Sequence, residues 1–455
     1  MNMVEIDSLS APASPEAIAE SVDRAAQHGV ALVDLQFSDI GGGIKALTIP
    51  ANLLRQTLEL GYRFDGSALA GGMRLVELDL YLRPDPSTFA ILPAREGQLR
   101  RAQLFCWVLR RDGQPFPGDP RATLERILRQ AAAAGFDYQL GVEMEFYILN
   151  GSPTDLTLLP AKDAAGYFDV GEDVLAGTRD EILATLHEMG ISVGGAHHET
   201  GPGQQELDLF HAGGINVADQ IITTRQTIRS VAQRRGLRAT FMPKPFADAP
   251  GSGMHLFQRL ASLDNGEDLL RGPTATELSA TARYLIAGQL SHASGMSAVL
   301  CTTVNSYKRL AAGHRAPRYV TWARVTQGSF IRVPSAAPGV ETDIELRCPD
   351  AMANPYLAIA ASLGTALDGI RQGDEPPGPL DENLVTFDDD ELRRLGAPLL
   401  PSTLGEALDA FDRDETVRGV LGDYIAEQLL AVKRAEWTEY RRHVSPWEHL
   451  RYGDV

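Results

Sequence analysis

Three segments of this chain concentrate groups able to hold a cation: Gly141-Val142-Glu143-Met144-Glu145-Phe146, His197-His198-Glu199-Thr200-Gly201-Pro202-Gly203-Gln204-Gln205-Glu206, and Ile344-Glu345-Leu346-Arg347. Between Tyr138 and Ile148 the apolar residues fall on even numbers. A strand period of two then sets Gln139, Gly141, Glu143, Glu145 and Tyr147 on the opposite face, with two carboxylates side by side. Unit charges about 4 Å apart repel by roughly 4 kcal/mol at an effective dielectric near 20, so carboxylates gathered in this way call for a cation. Oxygen ligands with a lone imidazole suit Mg²⁺ or Mn²⁺, whereas a structural zinc site would draw on thiolates or several histidines.

Each segment also has a plainer reading. Glu-x-Glu on a strand is common as a solvated outer face. A lone His, such as His255 in Gly251-Ser252-Gly253-Met254-His255, is more often a hydrogen-bonded structural residue than a ligand. The small residues before His255 would let backbone approach a ligand closely, because glycine lacks a Cβ.

The elements that must position these groups belong to a large enzyme-like chain. Its 455 residues, 44% of them hydrophobic, are enough for two to three domains with substantial cores. The most apolar stretches, around Tyr356 to Ile370 and Leu290 to Val304, are interrupted by polar residues well short of the roughly 20 that a membrane span needs, and read as buried helices. No basic region followed by an apolar core opens the chain, and the unpatterned cysteines Cys106, Cys301 and Cys348 suit a reducing cytoplasm. A net charge of −18, from 42 basic and 60 acidic residues, speaks against nucleic acid or anionic lipid as a partner. It does not exclude anionic substrates, since Arg309, Arg332 and Arg347 lie inside motifs.

Residues 1–14 are small and polar and are expected to be disordered, ahead of an amphipathic helix from Pro15 to His28. Strands at Val30 to Phe37 and Ile44 to Ile49 flank the turn signal Asp39-Ile40-Gly41-Gly42-Gly43, and a helix follows at Ala51 to Leu60. A small α+β domain over 15–112 then meets the Pro/Gly-rich segment Asp112 to Pro120, and the larger domain occupies 113–455. From Arg121 onward helices alternate with the carboxylate-bearing strands.

These motifs together resemble the glutamine synthetase family, in its shorter type I form, almost end to end. The resemblance takes in Val33 to Ile40, Phe64-Asp65-Gly66-Ser67, Phe116 to Arg121, Phe241-Met242-Pro243-Lys244-Pro245, Asn305 to Leu310, Asn354-Pro355-Tyr356 and Ser445-Pro446-Trp447-Glu448. It implies an α+β fold in which a β-grasp domain precedes a catalytic domain built on a curved antiparallel sheet with helices. It also implies a homo-oligomer, a dodecamer of two hexameric rings, with active sites between neighbours. Asp65 of one chain would complete the next chain's site, and the tail around Trp447 would hold the rings together unless Trp447 packs on its own subunit. By matching motif, Glu145, Glu199 and Glu206 would hold one divalent ion and Glu143, His255 and Glu345 a second. The implied reaction joins glutamate and an amine at the expense of ATP through γ-glutamyl phosphate. Arg309 would hold the α-carboxylate, Arg347 the γ-end and Arg332 a nucleotide phosphate, each otherwise an arginine in an ordinary salt bridge. Gly251 would border glutamate. Arg74 matches an arginine of feedback inhibition, with a surface salt bridge as the alternative. The absence of tyrosine from Asn383 to Leu395 speaks against adenylylation.

Departures from the family concentrate at the acceptor and nucleotide ends. Gly313-His314-Arg315-Ala316-Pro317 stands where the family has Gly-Tyr-Glu-Ala-Pro, so a catalytic carboxylate has become Arg315. Ala68 replaces a serine and Pro250 an asparagine, while Asp65 and Tyr167 still match the acceptor pocket. Asp343 replaces an arginine, Gly194 a glutamate, and Phe257 a polar residue, where its ring would stack on adenine or fill space. Three readings follow: a γ-glutamyl ligase whose acceptor is an amine other than ammonium, or ammonium itself; a ligase or phosphotransferase for another acid; and an assembly protein that has lost turnover. Retention of all six metal-ligand matches argues against the third, since buried carboxylates without a cation are costly.

Overall fold

The computed structural model describes residues 13–70, 79–94, 96–151, 159–160, 163, 165–169, 173–274, 277–311, 316–335, 340–382, 387 and 389–453. Arg74, the flap residues Gly313 to Arg315 and residues 383–386 lie outside them. The chain is α+β, as expected. Ser14 caps the first helix, Pro15–Gln27, by accepting the Ala17 N–H. The small sheet is built from β1 (Leu32–Ser38), β2 (Ile44–Pro50), β3 (Tyr62–Asp65), β4 (Asp79–Pro84), β5 (Ala90–Ile91) and β6 (Arg101–Leu109) in the order β2-β1-β6-β4-β3, with β5 beside β6. β1 and β2 form the expected hairpin, closed by Gly42 N–H to the Asp39 carbonyl at 3.0 Å with Gly42 at φ 82°. β1 runs parallel to β6. The segment from Leu109 to Pro115 bends back on β6 as part of the fold rather than as a free linker, with Phe116 N–H bonded to the Val108 carbonyl.

The larger sheet holds β7 (Phe136–Asn150), β8 (Leu159–Pro160), β9 (Val193–His198), β10 (Gln204–Gly213), β11 (Leu237–Thr240), β12 (Met254–Ser262), β13 (Tyr319–Ala323), β14 (Ser329–Arg332) and β15 (Ile344–Leu346). Its order is β13-β14-β15-β12-β7-β10-β9, with β8 and β11 also on β7. Every pairing is antiparallel except β13 with β14. The 15-residue β7 is the spine. Its even-numbered Val142, Met144, Phe146 and Ile148 are buried with Leu207 of β10 and Leu256 of β12 in one continuous core, against the helices Gly214–Arg234, Ala280–Ser291 and Pro355–Gln372. Each fully buried aliphatic side chain contributes about 1.5–3 kcal/mol, so this face locks the register. The odd-numbered face is thereby left to the polar groups.

Both apolar stretches singled out in the sequence are buried helical segments, Ala293–Leu300 and Pro355–Gln372. Asn354 caps the second and ties the domains together. Its Oδ1 accepts the Tyr356 N–H at 3.1 Å, and its Nδ2 donates to the Asp39 and Ile40 carbonyls. Among the described residues no helix is long and apolar enough to cross a membrane.

Candidate active site

Register assembles the site on the polar face of the larger sheet. Glu145 of β7 lies opposite Glu206 of β10, and Glu143 opposite both Asp208 of β10 and His255 of β12. Phe257 of β12 lies opposite Glu345 of β15, which in turn faces Arg332 of β14, and His197 of β9 lies opposite Glu206. Directly opposed antiparallel residues share a face, so one run of pairings brings the acidic groups of three strands together. Glu199 follows β9, held by its N–H to the Gln204 carbonyl at 2.9 Å.

Three overlapping groups offer ligand atoms within 4.8 Å of one another: Glu145, Glu199 and Glu206; Glu143, His255 and Glu345; and Glu143, Glu206 and Asp208. The first two are the sets named from the sequence. Asp208 is a residue that sequence reasoning missed, although the period of two that links Gln204 to Glu206 reaches it next. The donor set is carboxylates and one imidazole without a thiolate, which fits a hard divalent cation. The electrostatics agree with an incomplete charge balance. Burial, reinforced by Glu206, pushes Glu145 up to about 7, and burial with Glu206 and Glu143 does the same to Asp208. Glu143 and Glu206 are also raised, chiefly by burial. Burial and the nearby Arg347 hold His255 well below the usual imidazole range, in the neutral form that binds metals. Burial opposes a charge on His197, but its hydrogen bond to Glu206 at 3.1 Å carries it up to about 9. The imidazole therefore serves as a local counter-cation.

Glu345, fully buried, receives guanidinium groups from both Arg332 and Arg347 while its Oε1 lies 3.5 Å from His255 Nδ1. Arg332 and Arg347 are thus both turned toward one carboxylate of the cluster, the ion-pair alternative for a motif arginine. Arg309, on the helix Ser306–Ala311, donates to the Cys348 carbonyl at 2.9 Å and the Arg347 carbonyl at 3.1 Å. The small residues before His255 serve this arginine. A Cβ on Gly251 would lie 2.6 Å from the Pro243 carbonyl oxygen and 2.8 Å from Arg309 Cγ, and one on Gly253 2.7 Å from Arg309 Nη2, so Arg309 is among the groups whose close approach these glycines permit.

A cavity of about 580 Å³ lies against the cluster, lined by Glu145, Glu199, Pro250, Gly251, His255, Arg309 and Ala316. Lys244, the cation of the Phe241 to Pro245 motif, lines it too. Asn305, in the motif that carries Arg309, fixes the Lys244 backbone by accepting its N–H at 2.7 Å and donating to its carbonyl at 3.0 Å. Gln204 braces the wall by donating to the Gly251 carbonyl at 3.0 Å. Tyr167 is 47% exposed and packs edge-on against His197, at 5.2 Å between rings. Asp65 lies on β3 of the small sheet, where its carboxylate accepts the Ser67 N–H and hydroxyl at 3.0 Å. Asp343 is not a loose replacement, because His211 and Arg259 both bond it, at 2.9 and 2.7 Å, and despite burial they hold its carboxyl below the usual range. Trp447 is 62% exposed on the helix Pro446–Tyr452.

Comparison with known proteins places nearly all of the chain. Residues 29–111 match the family described as glutamine synthetase, beta-grasp domain, and residues 117–452 match glutamine synthetase, catalytic domain. A glutamine synthetase of Halobacterium salinarum is 38% identical over 433 residues, 95% of each chain. One of Staphylococcus aureus is 39% identical over 435 residues, 94% of this chain and 96% of the relative. Among solved structures, a GmaS/ADP complex superposes with a TM-score of 0.85 at 31% identity, covering 95% of this chain and 99% of the other. GmaS without ligand superposes with a TM-score of 0.83 at 32% identity over the same shares.

Proposed function

The chain belongs to the glutamine synthetase family and is an ATP-dependent carbon–nitrogen ligase acting on glutamate and an amine, and from that premise we propose that its acceptor is an amine other than ammonium. The observation that carries this reading is the substitution at Arg315, whose neighbour Ala316 lines the cavity beside Glu145, Glu199 and Arg309. A guanidinium in place of a carboxylate about 4 Å from a cationic amine changes their interaction from roughly −4 to +4 kcal/mol at an effective dielectric near 20. Screening by water to a third of that still weakens ammonium by more than about tenfold. An amine that is neutral near pH 7, or that carries a negative charge of its own, escapes the penalty. GmaS, glutamylmethylamide synthetase, adds support as a similar ligase whose name gives an amide of an amine other than ammonia. The second reading is an ordinary glutamate–ammonia ligase, favoured by relatives at 38% and 39% identity that carry that name.

In the proposed site, Arg309 holds the α-carboxylate of glutamate against Gly251, and Arg347, which Glu345 holds in this structure, would turn to its γ-end once Glu345 is engaged by a cation. Arg332, likewise paired with Glu345 here, would turn to a phosphate of ATP, and Phe257, across from Glu345 on the neighbouring strand, would meet the base. Two divalent cations, Mg²⁺ or Mn²⁺, held by Glu145, Glu199 and Glu206 and by Glu143, His255 and Glu345, would supply the positive charge that offsets the phosphates during transfer. The γ-carboxylate attacks the γ-phosphorus of ATP with ADP leaving, and the amine then displaces phosphate from γ-glutamyl phosphate, losing a proton. Burial and mutual repulsion favour protons on the cluster's carboxyl groups, which a bound cation would displace, and two backbone carbonyls fix the position of Arg309. Tyr167, and Asp65 supplied by a neighbouring copy in a ring assembly, border the acceptor.

The test is an acceptor screen that follows glutamate- and ATP-dependent phosphate release with ammonium, alkylamines, polyamines, anilines and amino acids. A non-ammonium amine is expected to give the highest kcat/KM, and Arg315→Glu to shift preference toward ammonium. Ammonium as the best acceptor, with no gain from Arg315→Glu, would sink the proposal and leave the second reading.

A further inference from the structure

A second cavity, of about 550 Å³, lies away from the carboxylate cluster where three distant segments meet: the turn Arg110 to Asp119 that closes the small domain, the helix Pro120–Ala133, and the junction Gly419 to Tyr424 between two C-terminal helices. Its size is ordinary for a small-molecule site. One wall is apolar, with Pro115, Phe116, Pro117, Ala122 and Leu421. Phe116 and Tyr424 meet edge to face with ring centroids 5.3 Å apart. Gly118 permits this, since a Cβ there would lie 2.6 Å from the Phe116 ring and 2.7 Å from the Tyr424 ring.

The polar side of the cavity is unevenly matched. Arg110 pairs with Asp112 at 3.5 Å and Arg129 with Glu125 at 3.0 Å. Arg126 has no carboxylate within ion-pair distance among the described residues, and its guanidinium donates to the Val420 carbonyl. The Tyr424 hydroxyl makes no hydrogen bond among them either. Asp119 is already spent on the Val108 and Arg121 N–H groups, at 2.8 and 2.9 Å, and Asp423 stands exposed at the rim. An unpaired guanidinium and a free hydroxyl beside an aromatic wall recognise a carboxylate with an apolar body. The two aspartates would repel a second negative charge.

We propose that this cavity is a binding site for a small monocarboxylate with an aromatic or branched aliphatic body, separate from the substrate pocket and anchored by Arg126. Because the ligand would bridge the interdomain turn, the helix Pro120–Ala133 and the C-terminal helices, binding stabilises the folded chain by mass action.

The test titrates the full-length protein, with Mg²⁺ and saturating glutamate so that the Arg309 pocket is filled, with benzoate, phenylacetate and isovalerate, and in parallel with benzamide and phenethylamine. Calorimetry and thermal melting are the readouts. At least one carboxylate is expected to saturate at millimolar or lower concentration and raise Tm, with the amide and amine at least roughly tenfold weaker. Arg126→Gln should weaken the carboxylate by about tenfold or more and leave glutamate- and ATP-dependent turnover unchanged. Gly419→Trp, at a position where a Cβ meets nothing within 4 Å, should abolish binding by filling the space, and keeps the test decisive if Arg126→Gln folds poorly. Absence of saturable binding by all three carboxylates, binding as strong for benzamide, or binding that survives both substitutions would overturn the proposal.

Discussion

Two buried clusters of charge in this chain use the same residue types to opposite ends. At the junction of the domains, Arg121 reaches Asp85 at 2.8 Å and clasps Asp219 through Nε and Nη2 at 3.2 and 2.8 Å. The Tyr356 hydroxyl adds a bond to Asp219, and the Trp107 ring lies 4.3 Å from the guanidinium carbon. Despite its burial, Arg121 is held well above its usual range by Asp219. On the polar face of the larger sheet the carboxylates instead face one another, and burial with mutual repulsion lifts Glu145 and Asp208 to about 7. The first cluster brings a guanidinium into direct contact with both of its carboxylates, although burial still raises Asp219; the second leaves more of its counter-charge to be brought in. Burial alone therefore does not separate a structural network from a site. The charge balance does.

The largest expected effect comes from breaking the balanced cluster. Arg121→Met would strand Asp85 and Asp219 without their cation, and removing one partner of a buried pair costs about 3–5 kcal/mol. Urea unfolding should show that loss with or without divalent ions. Glu206→Gln in the absence of divalent ions is expected to be neutral or stabilising, since it removes one of several repelling charges. A similar stability loss from both substitutions would show that the clusters do not differ in this way.

Next in size is the response to cations. A ligand at a hundred times its Kd stabilises by about 2.7 kcal/mol. Chelation should therefore lower Tm by several degrees and readdition of Mg²⁺ or Mn²⁺ restore it. Glu143→Gln and Glu206→Gln should blunt that response and cost more than about 100-fold in turnover, beyond the loss typical of groups outside the ligand set. Calorimetry that detects no binding of either ion, with both variants fully active, would remove the metal assignment.

Sequence made one face of β7 legible because a period of two over the odd positions separates Glu143 and Glu145 from Val142, Met144 and Phe146 without any knowledge of neighbours. Helix limits near Pro15 and the Asp39–Gly43 turn were equally local matters of capping and turn chemistry. What stayed hidden depends on pairing across the sheet. Asp208 belongs to the cluster only because β10 runs opposite β7 in the register that sets Asp208 against Glu143. Lys244 reaches the cavity because Asn305, 61 residues away, holds its backbone. The partners of Arg332 and Arg347 were likewise unreadable, since an arginine motif does not say which carboxylate lies across the next strand. Gly251 and Gly253 read as room for a ligand, and the neighbours they admit are the Pro243 carbonyl and Arg309 at Gly251, and Arg309 and the His255 ring at Gly253, with Arg309 coming from far along the chain.

The smallest effect is expected where the counter-charge is conditional. His292 places Nδ1 2.9 Å from Asp414 and Nε2 3.4 Å from Asp368, joining the helix Ala293–Leu300 to two others, while Arg371 also pairs with Asp368. The bond to Asp414 outweighs burial and raises the imidazole above its ordinary 6.5. A base whose folded value is raised stabilises fully below its unfolded value and loses that contribution as pH climbs through the folded one. The wild type should therefore exceed His292→Gln in unfolding free energy at pH 6 by on the order of 1 kcal/mol, as for a net charged hydrogen bond. That margin should shrink as pH rises above 6.5 and through the raised folded value. Arg121 and its carboxylates should show no such fading over the same range, because a guanidinium does not titrate there. A margin for His292 that stays constant from pH 6 to 9 would mean that its ring acts by packing, and that charge balance in this fold is set by the arginines alone.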